Sequence, residues 1–197
     1  MRRVVVTGMA GISPIGSDWA TIEHNLRAGN TGIQTIEEWE KYTELNTRLG
    51  APVSDFSKPS HYSRKMIRSM GRVALMATVA TERALENAGL LNDPIITDGR
   101  MGVSYGSSTG SPDAVSDFGN MLLNKESAGI NANSYLKMMS HTAAVNIGVF
   151  FSLKGRVITT SSACTSGSQG IGYAYEAIKY GHQDLMAAGG AEEADRT

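Results

Sequence analysis

The sequence predicts an α/β fold, and three observations carry that reading. Short runs of β-branched and apolar residues alternate with longer stretches of helically spaced apolar ones. Glycine occurs 22 times in 197 residues, which predicts many tight turns and close backbone contacts. Apolar residues make up 41% and charged residues 19%, enough for a hydrophobic core in one domain of ordinary size and far from the composition of a disordered chain.

Taken in order, residues 3–7 (Arg3-Val4-Val5-Val6-Thr7) read as a buried strand followed by a glycine-rich turn. Residues 18–28 read as a helix capped by Ser17 and stopped by Gly29. Residues 37–59, polar and broken by Pro52 and Pro59, read as an excursion over the surface. Residues 64–88 read as one long helix with Ser63 as N-cap and Gly89 just past its end. Its buried face is predicted to be Met66, Ile67, Met70, Val73, Ala77, Ala80, Ala84 and Leu85, a packing stripe rather than a cofactor box. Residues 101–105 form the next strand and lead into Gly106-Ser107-Ser108-Thr109-Gly110. Helices are expected over 113–125 and 135–151, a strand over 156–161, and a helix over 165–180 stopped by Gly181. A final strand over 184–188 ends at Gly189-Gly190, and no helix is expected to complete that last βα unit before Thr197.

Several function classes are disfavoured. A net charge of −1 lacks the basic footprint of a nucleic-acid binder. One cysteine, Cys164, cannot close an internal disulfide, so nothing calls for an oxidising compartment. The basic-then-apolar opening is interrupted by Gly8, Gly11 and Pro14, which does not suit a signal peptide. No window approaches the roughly 20 apolar residues that span a bilayer. The protein is expected to be soluble and cytoplasmic. The turn Gly8-Met9-Ala10-Gly11 departs from the dinucleotide fingerprint and reads as a tight turn, and a P-loop is absent. His24, His61, His141 and His182 lie far apart with no second cysteine, so neither a metal site nor a cofactor is expected. Glu192 and Glu193 are adjacent, so their side chains diverge. They do not form a ready acid/base pair, and Glu192 reads equally well as a structural carboxylate holding backbone amides.

The segment Thr159-Thr160-Ser161-Ser162-Ala163-Cys164-Thr165-Ser166-Gly167 runs a β-rich strand into the lone cysteine and then at once into a helix. That places the sulfur at a sharp strand-to-helix turn. The partial positive charge of a helix N-terminus favours the thiolate, and its free amides can stabilise an oxyanion forming on a thioester. Gly167, Gly170 and Gly172 make a poor helix, each costing on the order of 1 kcal/mol relative to Ala, so another backbone is expected close by. A buried, inert cysteine is the competing reading at this point.

The opening 3–9, Leu26-Arg27-Ala28-Gly29-Asn30-Thr31-Gly32-Ile33, Gly102-Val103 with Gly106-Ser107, Leu153-Lys154-Gly155, 161–167, Ala177-Ile178-Lys179-Tyr180-Gly181 and Ala188-Gly189-Gly190-Ala191-Glu192 occur in an order that is specific as a set. Together they resemble the N-terminal half of β-ketoacyl-acyl-carrier-protein synthases, condensing enzymes of the thiolase-like fold, and most of all the type I/II elongating synthases. The resemblance implies an N-terminal half with a mixed, mostly parallel sheet covered by helices. It makes 1–197 a β-ketoacyl synthase N-terminal domain with the C-terminal half outside this chain. It further implies a decarboxylative condensation: Cys164 takes an acyl group from a carrier-protein thioester, malonyl-carrier protein loses CO2, and the carbanion attacks the acyl-enzyme. Cys164 is then the catalytic residue, its amide contributing to the oxyanion hole. Gly106, Ser108, Thr109, Ser134 and Ala163 line the substrate, with Thr109 at the position of a chain-length gate. The stretch from Tyr135 through 156–161 is implied to form a homodimer interface.

Thr109 replaces a bulky aliphatic common in long-chain members, and Ser134 stands where many place an aromatic. Both changes leave the acyl substrate open between fatty-acid and polyketide or polyene pathways. The family's histidine pair and lysine lie in the second half, so this half alone is expected to be inactive in condensation. The alternatives are a non-catalytic, chain-length-factor-like or carrier-protein-binding subunit, which Cys164 argues against, and a thiolase, which the residues around Cys164 fit less well.

Overall fold

The computed structural model of the protein describes residues 1–193. They fall into two compact units, one of Ala10–Ser57 and one joining Met1–Met9 to Lys58–Glu193. The expectation of no helix after the last strand falls outside the described residues.

In the smaller unit, helix α1 (Trp19–Ala28) is capped by Asp18, whose carboxylate accepts from the Thr21 N–H at 2.9 Å. The cap is therefore Asp18 and not Ser17, because a carboxylate at this position also takes the Thr21 hydroxyl at 2.7 Å. Gly29 ends the helix with a φ of 69°, as expected. Strands β1 (Gln34–Thr35) and β2 (Leu49–Gly50) pair antiparallel, flanking a 3-10 turn at Glu37–Lys41, so the excursion over 37–59 has some regular structure of its own.

The larger unit is a parallel sheet between helical layers. Its elements are α2 (Arg64–Ile67), α3 (Arg72–Asn87), β3 (Met101–Gly106), α4 (Pro112–Asn124), α5 (Ala132–Met138), α6 (Thr142–Phe150), β4 (Val157–Thr160), α7 (Ser166–Lys179) and β5 (Leu185–Gly190). The strand order is β4-β3-β5, all parallel, so the antiparallel contribution to the sheet pattern is confined to β1 and β2. Every residue of β3 is buried, as befits a central strand covered on both faces. Met101, Val103 and Tyr105 alternate onto one face and join Ala77, Leu85, Ala144, Ile147 and Phe151 in the core. The alternate positions face α7, where Ser104 O and Gly106 meet Gly170 and Ser166.

Three expectations are corrected. Residues 3–7 form no strand and pair with no strand among the described residues, and Val5 and Val6 are 60% and 78% exposed. The helix expected over 64–88 is two helices. The chain breaks at Gly71, where a Cβ would stand 2.2 Å from Ser111 Oγ, and that hydroxyl instead receives the Val73 N–H at 3.1 Å. Met66 consequently leaves the buried face and is 46% exposed, while Ala74, Met76, Thr78, Val79 and Thr81 join it. The helix expected over 135–151 is likewise divided, with the Thr142 hydroxyl donating to the carbonyls of Leu136 and Met139 at the junction. Among the described residues no helix is long and apolar enough to cross a membrane.

Candidate active site

The parallel register sets the three strand ends level: Gly106 pairs with Thr160 on one side and with Gly190 on the other. Their exits, 107–110, 161–165 and 191–193, therefore leave the sheet together at its carboxyl edge, where open α/β sheets place ligands.

The exit from β4 is an elbow. Ala163 has a φ of 52°, a left-handed conformation costing an alanine about 1 kcal/mol. Hydrogen bonds hold it there. The Ser162 N–H donates to Ser166 Oγ at 2.9 Å, and that hydroxyl donates on to Ala163 O at 2.7 Å. The Ser166 N–H reaches the same carbonyl at 2.9 Å, and the Thr160 hydroxyl donates to Ser166 O at 2.8 Å. Cys164 lies at the turn's apex, exposed, two residues before the first residue of α7. None of these bonds uses its N–H. The buried, inert reading of this cysteine does not match its exposure.

The exit from β3 is clasped against the elbow. A Cβ on Gly106 would stand 2.5 Å from both Ser166 O and Thr160 Oγ1, so only glycine lets β3 run this close to the start of α7. The Ser107 N–H donates to Thr160 O at 3.2 Å, and the Ser161 hydroxyl donates to Ser108 O at 3.3 Å. From the exit of β5, Glu192 Oε1 accepts from both the N–H and the hydroxyl of Ser108, at 2.5 and 2.9 Å. Glu193 turns the other way and pairs with Arg72 at 3.0 Å. The two carboxylates thus diverge, and Glu192 holds a backbone amide. Beneath the exits, burial pushes the Tyr105 hydroxyl well above its ordinary range, which keeps it a neutral donor to Gly190 O at 3.2 Å.

Of the residues singled out in the sequence, Gly106, Ser108, Ala163 and Cys164 are brought together by these contacts, with Thr109 exposed on the same turn. Ser134 is not among them. It is buried in α5, where its hydroxyl accepts from the Asn131 N–H at 3.3 Å in a capping box. The sequence gives no separate role to Thr160, Ser161 or Ser166, whose hydroxyls hold the elbow and its neighbouring turn; the density of hydroxyls around Cys164 is the signal that points to them. No cluster of three or more His, Cys, Asp or Glu suited to a metal ion occurs among the described residues.

Residues 1–195 match a family described as the β-ketoacyl synthase N-terminal domain. Among curated proteins, the chain is 33% identical over 201 residues to 3-oxoacyl-[acyl-carrier-protein] synthase 1 of Haemophilus influenzae, covering 98% of this chain and 47% of that protein. It is 34% identical over 194 residues to 3-oxoacyl-[acyl-carrier-protein] synthase 2 of Vibrio cholerae, covering 98% of this chain and 46% of that protein. The crystal structure of a beta-ketoacyl synthase from Burkholderia phymatum superposes with a TM-score of 0.94 at 51% identity, over 99% of this chain and 48% of that one. The chain thus spans about half the length of the proteins it matches.

Proposed function

The chain belongs to the family of β-ketoacyl synthase N-terminal domains, and from that premise we propose that it is the acyl-accepting half of a 3-oxoacyl-[acyl-carrier-protein] synthase. The observation that carries the reading is Cys164, exposed at a strained elbow ahead of a long helix. The Cys164 thiolate attacks the carbonyl of an acyl-carrier-protein thioester, the tetrahedral oxyanion is held by the Cys164 N–H, and its collapse breaks the old C–S bond and releases the carrier as its thiolate. Malonyl-carrier protein then loses CO2. The resulting carbanion attacks the acyl-enzyme carbonyl, and Cys164 departs as thiolate, leaving a 3-oxoacyl thioester on the carrier. The turn bearing Gly106, Ser108 and Thr109, with Ala163, walls the acyl group. Ser134, spent on its helix cap, supports that wall at one remove. The groups that promote decarboxylation belong to the second half found in the relatives.

A homodimer formed along the outer edge of β4 fits the same reading. β4 is an edge strand of β-branched residues, Val157 is 47% exposed, and Val145 and Val149 of α6 stand out beside it at 41% and 74%. A single cysteine and carrier-protein substrates suit a cytoplasmic setting.

Intact-mass analysis of the complete polypeptide after incubation with an acyl-carrier-protein thioester tests the assignment. One acyl adduct, lost in Cys164→Ala, is the expected result, with 3-oxoacyl product appearing only when malonyl-carrier protein is added. If Cys164→Gln leaves the protein's contribution to a partner synthase intact and no adduct forms on the unaltered chain, the chain is a non-catalytic subunit instead.

A further inference from the structure

The turn between β3 and α4 carries Thr109, and its two ends are fixed by the fold. At the start, the Ser107 N–H is bound to Thr160 O and its hydroxyl accepts from Gly110 at 3.2 Å. At the finish, the Ser111 N–H donates to Lys137 O at 3.0 Å and the Ser111 hydroxyl receives Val73. The middle is held differently. Ser108 is only half-buried, and every polar group it has is engaged from outside the turn: its carbonyl by the Ser161 hydroxyl, its N–H and hydroxyl by Glu192. Ser161 lies three residues before Cys164, so the first of these bonds ties the turn to the elbow. Glu192 supplies the opposing pull from β5, through hydrogen bonds strengthened by its charge. Its own backbone is steadied by the neighbouring ion pair of Glu193 with Arg72 and by the Ala191 N–H bound to Gly106 O at 3.0 Å.

We propose that Glu192 is a positioning residue that sets which acyl chains reach Cys164, by holding Ser108 and with it Thr109 against the elbow. The proposal rests on the acyl-transfer reading above. Glu192 touches no reacting atom; it acts through the turn. Without the carboxylate, Ser108 is held from the elbow side alone, and the wall bearing Thr109 loses its hold from β5.

The test measures acylation of Cys164 in the complete polypeptide by butyryl- and myristoyl-carrier-protein thioesters, beside its alkylation by iodoacetamide. Glu192→Ala is expected to change the ratio of the two acylation rates on the order of tenfold, the scale on which pockets discriminate methylenes. Alkylation by the small reagent stays at the unaltered rate. Glu192→Gln, whose amide oxygen still accepts both bonds, restores most of the original ratio, whereas a merely structural role leaves the ratio where it was. Ser108→Ala, which loses one of the two bonds, falls between. An unshifted ratio in folded Glu192→Ala overturns the proposal. If that variant does not melt like the unaltered protein, Ser108→Ala decides, and an unshifted ratio there overturns it equally. An unaltered protein that takes no acyl group refutes acyl transfer and this proposal with it. One that acylates while its variants keep its ratio refutes this proposal alone.

Discussion

Tyr105 shows how a single buried group couples the site to solution conditions. Burial raises the pKa of its hydroxyl, so the unfolded chain gives up the proton first, near the ordinary value of about 10. Its contribution to stability is complete below that pH and is lost as the pH climbs above it. Tyr62, raised by burial and by the nearby Glu82 carboxylate, acts with the same sign. Denaturant melts from about pH 8 to 11 are expected to show falling stability above about 10, less steeply in Tyr105→Phe; a slope unchanged by that substitution sinks the assignment. At this scale much was legible. Cys164 stood out as the lone thiol between a β-rich run and a helix, and the adjacency of Glu192 and Glu193 already required their side chains to part. The partner Ser108 was not legible, because it lies 84 positions away and meets Glu192 only through strand register.

Helix α7 is where sequence and packing argue most directly. Its glycines implied a backbone close by, and the reason is now specific for Gly170, whose added Cβ would stand 2.9 Å from Gly189 O and 3.0 Å from Ser104 O. Both obstacles are main-chain atoms of the sheet and cannot swing away. Gly170→Ala should therefore destabilise the chain by about 1–3 kcal/mol. Gly172 meets nothing within 4 Å among the described residues, so Gly172→Ala in this chain should stabilise it by on the order of 1 kcal/mol through helix propensity alone. Thermal denaturation of the pair checks both signs, and equal effects would refute the packing argument. The helices read as single over 64–88 and 135–151 failed for a related reason. Apolar periodicity runs on across Gly71 and across Met139, whereas the first break meets the distant Ser111 hydroxyl and the second the Thr142 hydroxyl, which takes the carbonyls of Leu136 and Met139 just before it.

Across the larger unit, exposed apolar side chains among the described residues occur on several elements, two of which bear on the fold. One is the edge of β4 with Val145 and Val149, the proposed homodimer seam. Val149→Asp is expected to convert a dimer of the complete polypeptide to monomer in sedimentation velocity while leaving its melting curve close to the original; a dimer that survives the charge rejects this seam. The other is the N-terminal run, where Val5 and Val6 are exposed. The β-branched run at residues 4–6 has the composition of a buried strand and the exposure of a loop, which explains why composition misread it.

The sequence by itself determined the α/β class, the positions of β3, β4, α7 and β5, the thiol at a strand-to-helix turn, and the family. All of these depend on local spacing, residue type and order along the chain, which need no partner to be read. Only the tertiary structure decided where long helices break, which β-branched run finds a ladder, and how Ser108 is clasped between Ser161 and Glu192. The clasp of Ser108 depends on atoms far apart in sequence, brought together by the parallel register that sets Gly106, Thr160 and Gly190 side by side, and the break at Gly71 on a hydroxyl 38 positions from the amide that it receives.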